Sequence, residues 1–232
     1  MPGRKPPVSA LITAEHASRA VPARWARVFE GNESVLDTHR AWDPGSADLA
    51  RSLATALNAP LLLGEVTRLL VDLNRSDGHP RHLSAFSKVL PTAERSELIQ
   101  TIWAPHWQEY ADTVRRLPGQ VIHIACHSFT PALDGRVRST DVGLLYDPSR
   151  EPEKAWCKML QAAIRSHLPG LKVHMNQPYR GTSNGLGQQH RQVFDPGKLI
   201  SLEIEVNTTL VESAHWSDIE EQLVKAVTLQ LK

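Results

Sequence analysis

Residues 198–206, Lys-Leu-Ile-Ser-Leu-Glu-Ile-Glu-Val, alternate with a period of two. In an extended chain this puts Ile200, Leu202, Ile204 and Val206 on one face and Ser201, Glu203 and Glu205 on the other. Carboxylates two apart on a strand point the same way, and they repel unless a cation or proton lies between them. Two further strand-like runs end in titratable groups. Val8–Ala14 leads into Glu15-His16, and residues 121–125 lead into Cys126-His127-Ser128. Leu61–Leu63 and residues 66–73, 142–146 and 171–175 also read as extended.

Helical patterns separate these runs. Over residues 46–58, Leu49, Leu53 and Leu57 recur every four residues behind Pro44. Residues 23–29 form a helical turn, and residues 93–117 a helix kinked or broken by Pro105. Residues 153–168 put Trp156, Leu160, Ala163 and Ile164 on one side; a last helix starts at Ser217, with Glu220 completing a capping box. Residues 76–88, 129–140 and 176–191 read as loops, the first long enough to rim a pocket. Alternating strands and helices predict a single α/β domain over residues 8–232, behind a flexible lead-in at 1–7. It is a three-layer α/β/α arrangement, with a mixed, mostly parallel sheet and helices on both faces.

The stretch from Val66 to Arg75 carries the densest chemistry. A short apolar run, Leu69-Leu70-Val71, opens into Asp72, Asn74 and Arg75, with Arg68 just upstream. Two guanidiniums, a carboxylate and an amide are costly to bury unless something satisfies them. A guanidinium fork matches a carboxylate in bidentate fashion. The stretch reads as one wall of a pocket for an acidic small molecule; an Arg–Asp pair closing a strand end would use the same residues.

Composition excludes several classes. The 232 residues are 41% hydrophobic with a formal net charge of +1, enough for one full core and no electrostatic case for nucleic acid or an anionic membrane. No apolar run of about 18 residues exists, so no membrane span is expected, and residues 1–7 lack the apolar stretch of a signal peptide. Cys126 and Cys157 read as reduced thiols of a cytoplasmic protein rather than a disulfide or four-cysteine zinc scaffold. A Cys126–His127 nucleophile is disfavoured because neighbours on a strand point to opposite faces. No Gly-x-Ser-x-Gly elbow is present.

Taken in order, the motifs resemble the N-formylglutamate amidohydrolase family. They are His16 with Val21-Pro22, Trp42-Asp43-Pro44-Gly45, Arg68 through Arg75, His127, Asp141-Val142-Gly143, Asn176-Gln177-Pro178-Tyr179 and Glu203-Ile204-Glu205-Val206-Asn207. The likeness runs from about Ser9 to Asn207. Asp72-Leu73-Asn74-Arg75 and Glu205-Val206 are also similar to the aspartoacylase and zinc carboxypeptidase group. There the Asn-Arg pair holds the substrate carboxylate and the late Glu is the general base.

The resemblance implies a phosphorylase/hydrolase-like, zinc-exopeptidase-like fold and one Zn²⁺ per chain. It implies hydrolysis of an N-acylated acidic amino acid, most directly N-formyl-L-glutamate. His16 and His127 follow strand ends, where open α/β sheets bind ligands, and are the expected metal ligands. Asp43 is the expected third and Glu15 its alternative, because Arg19 stands where the carboxypeptidase-like group has a ligating Glu. Asp43 before a proline would also suit a helix cap. Glu205 is the expected general base, with Glu203 beside it. Arg68, Asn74 and Arg75 form the expected carboxylate clamp. Arg136 and Arg138 either hold a second carboxylate or are solvated, and Tyr179 bonds substrate from a loop. Two other readings fit the same residues: a zinc hydrolase of another N-acyl amino acid or small peptide, and a non-catalytic dicarboxylate-binding protein.

Overall fold

Parallel neighbours cannot be joined by a tight turn, so each pair needs a crossover segment. The computed structural model, which describes residues 7–231, shows those segments as helices. The strands are β1 (Val8–Ala14), β2 (Leu61–Leu63), β3 (Gln120–Phe129), β4 (Ala132–Leu133), β5 (Arg136–Val137), β6 (Val142–Leu145), β7 (Val173–Met175) and β8 (Leu199–Asn207). The helices are α1 (Ser46–Leu57), α2 (Ala85–Lys88), α3 (Thr92–Leu98), α4 (Ala104–Arg116), α5 (Glu151–His167), α6 (Leu186–Arg191), α7 (Thr208–Val211) and α8 (Trp216–Leu231). Six strands form one sheet in the order β2-β1-β3-β8-β6-β7. The first four are mutually parallel; β6 runs antiparallel to β8, and β7 parallel to β6. The sheet is thus mixed and mostly parallel. From β1 the chain goes first to β2 on one side and later to β3 on the other, so the strand order reverses at β1/β3. Ligands of open α/β sheets bind outside the carboxyl ends of strands at such a point.

Both faces are covered. Against α1, α5 and α8 pack Ile12, Ile122, Ile124, Ile200, Leu202, Ile204 and Val206, together with Leu49, Leu53, Trp156, Leu160 and Leu223. The apolar face of β8 is therefore the face read from its alternation. On the other side Leu11, Val121 and Leu199 meet Tyr110 and Val114 of α4 and Leu186 of α6. There Ser201 is buried with its Oγ 2.8 Å from His123 Nδ1, and His123 Nε2 lies 2.9 Å from Thr13 Oγ1. Burial pushes the imidazole of His123 down to about 3, so it stays neutral between its two hydroxyl partners.

Several local expectations are corrected. Residues 66–73 are not a strand. They run through turns, and the apolar run is buried by a satellite core of Trp25, Phe29, Val35, Leu69, Leu70, Val71, Leu90 and Leu98. Side chains do the work of ladder partners there. The Leu69 carbonyl accepts from Ser87 Oγ (2.9 Å), the Leu69 N–H donates to Thr67 Oγ1 (3.3 Å), and Trp107 Nε1 and Trp103 Nε1 donate to the carbonyls of Leu73 and Arg75. Around Pro105 the helix is not broken: α3 passes through a π-helical turn at Ile99–Trp103 into α4, with the proline in the first turn of α4. Residues 129–140 hold the β4–β5 hairpin, turned by Asp134-Gly135 with φ of 49° and 74°. Both values are positive, as a type I′ turn requires. The loop at 176–191 ends in α6. α8 starts one residue before Ser217, and Glu220 accepts from Ser52 Oγ (2.6 Å) instead of capping its own helix. The lead-in at 1–7 lies outside the described residues except Pro7, whose carbonyl accepts from Gln120 N.

One close approach fixes the end of β1. A Cβ on Gly64 would sit 2.0 Å from the Glu15 carbonyl oxygen and 3.0 Å from Leu73 Cδ1. Gly64→Ala is expected to lower stability by about 1–3 kcal/mol, since backbone must move to admit the methyl group. Denaturant unfolding should show a lower midpoint with an unchanged slope.

Candidate metal centre

Parallel pairing sets which side chains stand abreast. In the β3–β8 register His123 is opposite Ser201, Ala125 opposite Glu203, and His127 opposite Glu205. His127 and Glu205 thus emerge together at the carboxyl edge. Glu15 and His16 follow β1 directly, and Asp43 leads into α1, held by a hydrogen bond from its N–H to the His16 carbonyl (3.0 Å).

These segments bring His16, Asp43 and His127 together, all buried. One potential ligand atom from each lies within 4.8 Å of the others. Asp43 Oδ2 is 3.2 Å from His16 Nδ1 and 2.9 Å from His127 Nδ1. The opposite ring nitrogens have their own carboxylates: His16 Nε2 is 2.7 Å from Asp72 Oδ1, and His127 Nε2 is 3.0 Å from Glu15 Oε2. Ligating histidines commonly pass their other ring nitrogen to a carboxylate, which fixes tautomer and ring orientation. Asp43 stands between the two imidazoles, and Glu15 behind one of them. Asp72, read from the sequence only as part of a pocket wall, stands behind the other.

The electrostatics follow from burial. Burial alone would raise Asp43, yet the charge of His16 and the hydrogen bonds from His127 and His16 hold it far below the usual carboxylate range. Glu15 is held low against its own burial by His127. Burial disfavours charge on His127, but hydrogen bonds to Asp43 and Glu15 raise it well above the usual imidazole value. Glu205 behaves oppositely. Burial pushes it up to about 8, with His127 opposing and Asp43 and Glu203 adding. Burial also raises Glu203. Glu205 Oε2 is buried without a hydrogen-bond partner among the described residues. Glu15, Asp43, Asp72, Glu203 and Glu205 outnumber Arg68 and Arg75 around this point. Such a set suits a divalent cation with two imidazoles and a carboxylate as ligands.

A cavity of about 410 Å³ opens over the cluster, lined by His16, Asp43, His127, Glu203 and Glu205, with Arg75, Arg180 and Asn184 among its outer residues. The expected clamp is only partly free to act. Arg68 Nη2 donates to Asp72 Oδ2 (2.9 Å) and its Nη1 is 3.5 Å from Asp43 Oδ1. Asn74 Oδ1 accepts from Leu186 N (2.8 Å), and its Nδ2 is 3.4 Å from His127 Nε2. Arg75 Nη1 donates to the carbonyls of Asn74 and Asn184, while its buried Nε has no partner among the described residues. Arg136 sits on the exposed hairpin and lines neither of the two main cavities. Arg138 lies over the rings of Tyr179 (4.9 Å) and Phe129 (5.6 Å). Tyr179 is on the cavity wall. Arg180, Asn184 and Asp72 were missed as site residues. The first two sit in a Gly-rich loop with no periodicity to orient them, and their only signal was proximity in sequence to Tyr179.

The sequence matches the N-formylglutamate amidohydrolase family over residues 8–211. The chain belongs to that family. As a member it is an amidohydrolase of N-acyl, glutamate-like substrates. Its structure is similar to the crystal structure of a gene product of Agrobacterium tumefaciens, with 26% identity and a TM-score of 0.76, covering 97% of this chain and 92% of that one. It also shares its fold with succinylglutamate desuccinylase of Chromobacterium violaceum, at 12% identity and a TM-score of 0.50, covering 98% of this chain and 64% of that one. No curated protein sequence matches the chain. Among the described residues no helix is long and apolar enough to cross a membrane.

A cation at this centre would need His127 neutral, and it would favour ionised Glu205. Both groups are raised without one. Binding of Zn²⁺ is therefore expected to release protons, and its apparent affinity to rise with pH through the neutral range, by roughly tenfold per unit for each proton displaced. Calorimetric titrations at pH 6 to 8, in buffers of different ionisation enthalpy, measure both.

Proposed function

We propose that the chain hydrolyses N-formyl-L-glutamate to glutamate and formate, with a zinc ion held by His16 Nδ1, His127 Nδ1 and Asp43. The observation that carries this reading is the meeting of two imidazole Nδ1 atoms on one Asp43 oxygen, with the far side of each ring anchored by a carboxylate. A zinc ion would supply a Lewis acid and lower the pKa of water to about 7. The remaining work falls to the chain. Glu205 takes a proton from the attacking water at its unpartnered Oε2 and returns it to the leaving nitrogen, so that the amine departs neutral. Glu203, next on the same face, strengthens the hold of Glu205 on a proton. Asp72 and Glu15 hold the rings of His16 and His127. Arg75 turns its Nε edge to a substrate carboxylate, which fixes the distance between the acyl carbon and the attacking water. Arg180 and Asn184 lie on the same wall and help seat the amino-acid half. Arg68 acts through Asp72 and Asp43 rather than on the substrate.

The base is tested by Glu205→Gln. This variant is expected to keep its fold and zinc content while turnover falls by about 10²–10⁴, since an amide cannot accept the proton. Near-normal turnover with zinc retained would exclude Glu205 and move the role to Glu203.

The acidic-substrate reading is tested by Arg75→Lys, because an ammonium cannot reproduce a paired guanidinium–carboxylate contact. The kcat/KM on N-formylglutamate should fall by roughly tenfold or more. Repeating the measurement with N-formylglutamine separates the two carboxylates. A smaller loss there assigns Arg75 to the side-chain carboxylate, and an equal loss to the α-carboxylate. Small, equal effects on both substrates would make Arg75 structural.

A further inference from the structure

An amide seated at the His16–Asp43–His127 cluster has two ends, and the structure offers a chamber for each. The first is the cavity with Arg75, Arg180 and Asn184. A second cavity, of about 430 Å³, adjoins it and shares Asp43, Arg68, Arg81, Ser128, Leu133 and Tyr179 with it. It is also lined by Asp72, by Phe129 and by three solvent-exposed cations, Arg40, Arg81 and Lys88. Arg68, at the junction, is neutralised by Asp72 and Asp43. The outer three cations form no ion pair with a carboxylate among the described residues; Lys88 Nζ donates only to the Pro80 carbonyl (2.6 Å). Three uncompensated cations around one cavity are notable in a chain whose formal net charge is +1.

A formyl carbon bears only hydrogen, so nothing in N-formylglutamate extends into this second chamber. An acyl group that filled it would lie among Leu83, Phe129 and Leu133 and within the same walls as Arg40 and Lys88. We propose that the second chamber is an acyl-side anion subsite, and that the chain cleaves N-acylglutamates whose acyl group ends in its own carboxylate. This rests on the amidohydrolase reading above and extends it to the other half of the substrate. The reaction balances as a hydrolysis: the amide C–N bond breaks, the water oxygen bonds to the acyl carbon, and one water proton passes to the leaving nitrogen. The products are a dicarboxylate and glutamate.

The zinc-loaded wild-type protein is to be compared on three substrates: N-formyl-L-glutamate, N-succinyl-L-glutamate, and N-butyryl-L-glutamate, whose acyl chain has the same length without the charge. The expected result is a kcat/KM for the succinyl substrate about tenfold or more above that for the butyryl one, as one charge-assisted contact supplies. In the Arg40→Ala/Lys88→Ala double variant that gap should close to about twofold. Equal rates on succinyl and butyryl substrates in the wild type, with N-formylglutamate cleaved, overturn the subsite and leave the amidohydrolase reading standing. A gap that survives in the double variant also overturns it, since the preference would then arise elsewhere. Absence of turnover on every N-acylglutamate, the formyl substrate included, overturns both readings together.

Discussion

Hydrogen bonding between β3 and β8 determines more than sheet order. Its register sets His127 abreast of Glu205 and His123 abreast of Ser201. A slip of one residue would turn every side chain of β8 to the opposite face. Ile204 and Val206 would then face the cavity, and Glu203 and Glu205 would be driven into the layer beneath α5 and α8. Both the stability of the sheet and the chemistry at its edge thus hang on one ladder, and the ladder is held by the burial of Ile200, Leu202, Ile204 and Val206. Folding and site assembly are one event here, because the apolar half of β8 selects the register that places its acidic half.

That placement concentrates negative charge. Isolated buried carboxylates are costly, and proteins meet the cost by pairing, protonation or metal binding. Pairing and protonation are both visible around Asp43. Asp72 pairs with Arg68, and Glu15 with His127. Glu203 and Glu205 shift towards their protonated forms. Asp43 faces two imidazoles at a spacing that suits a shared cation. A centre so arranged is poised: adding a divalent ion relieves repulsion and restores the charge of Glu205, whose Oε2 has no hydrogen-bond partner among the described residues.

The elements most readable from sequence were those whose local pattern and tertiary burial agree. The alternation in β8, the four-residue repeat of α1 and the position of His16 past a strand end were legible, because strand and helix periods set which residues share a face; His127, expected past a strand end, lies within β3, which runs on to Phe129. The stretch from Val66 to Arg75 was misread as a strand for a physical reason. Burial was inferred correctly, but a run of Leu and Val carries no mark of what will satisfy its backbone. Ser87, Trp103 and Trp107 supply those bonds from distant positions, and Thr67 from two residues away. The arginines of that stretch were likewise read as one clamp, without their division of labour. Only the folded chain shows Arg68 spent on Asp72 while the Nε of Arg75 stays unpartnered. Arg180 and Asn184 lay beyond reach because irregular loops have no period from which direction can be inferred.

The π-helical turn at Ile99–Trp103 links a residue count to the shape of the cavity. It leaves Trp103 and Trp107 one helical turn apart, so that both indoles reach the segment carrying Arg75. Each residue added to a helix rotates the rest of it by about 100°. Deleting one residue from the widened turn would swing α4 and its Trp107 away from the Leu73 carbonyl, stripping a donor from the backbone beside Asn74 and Arg75. The length of this helix is therefore as much a part of the substrate wall as the side chains on it. Insertions and deletions there should be filtered more severely than point changes on its outer face.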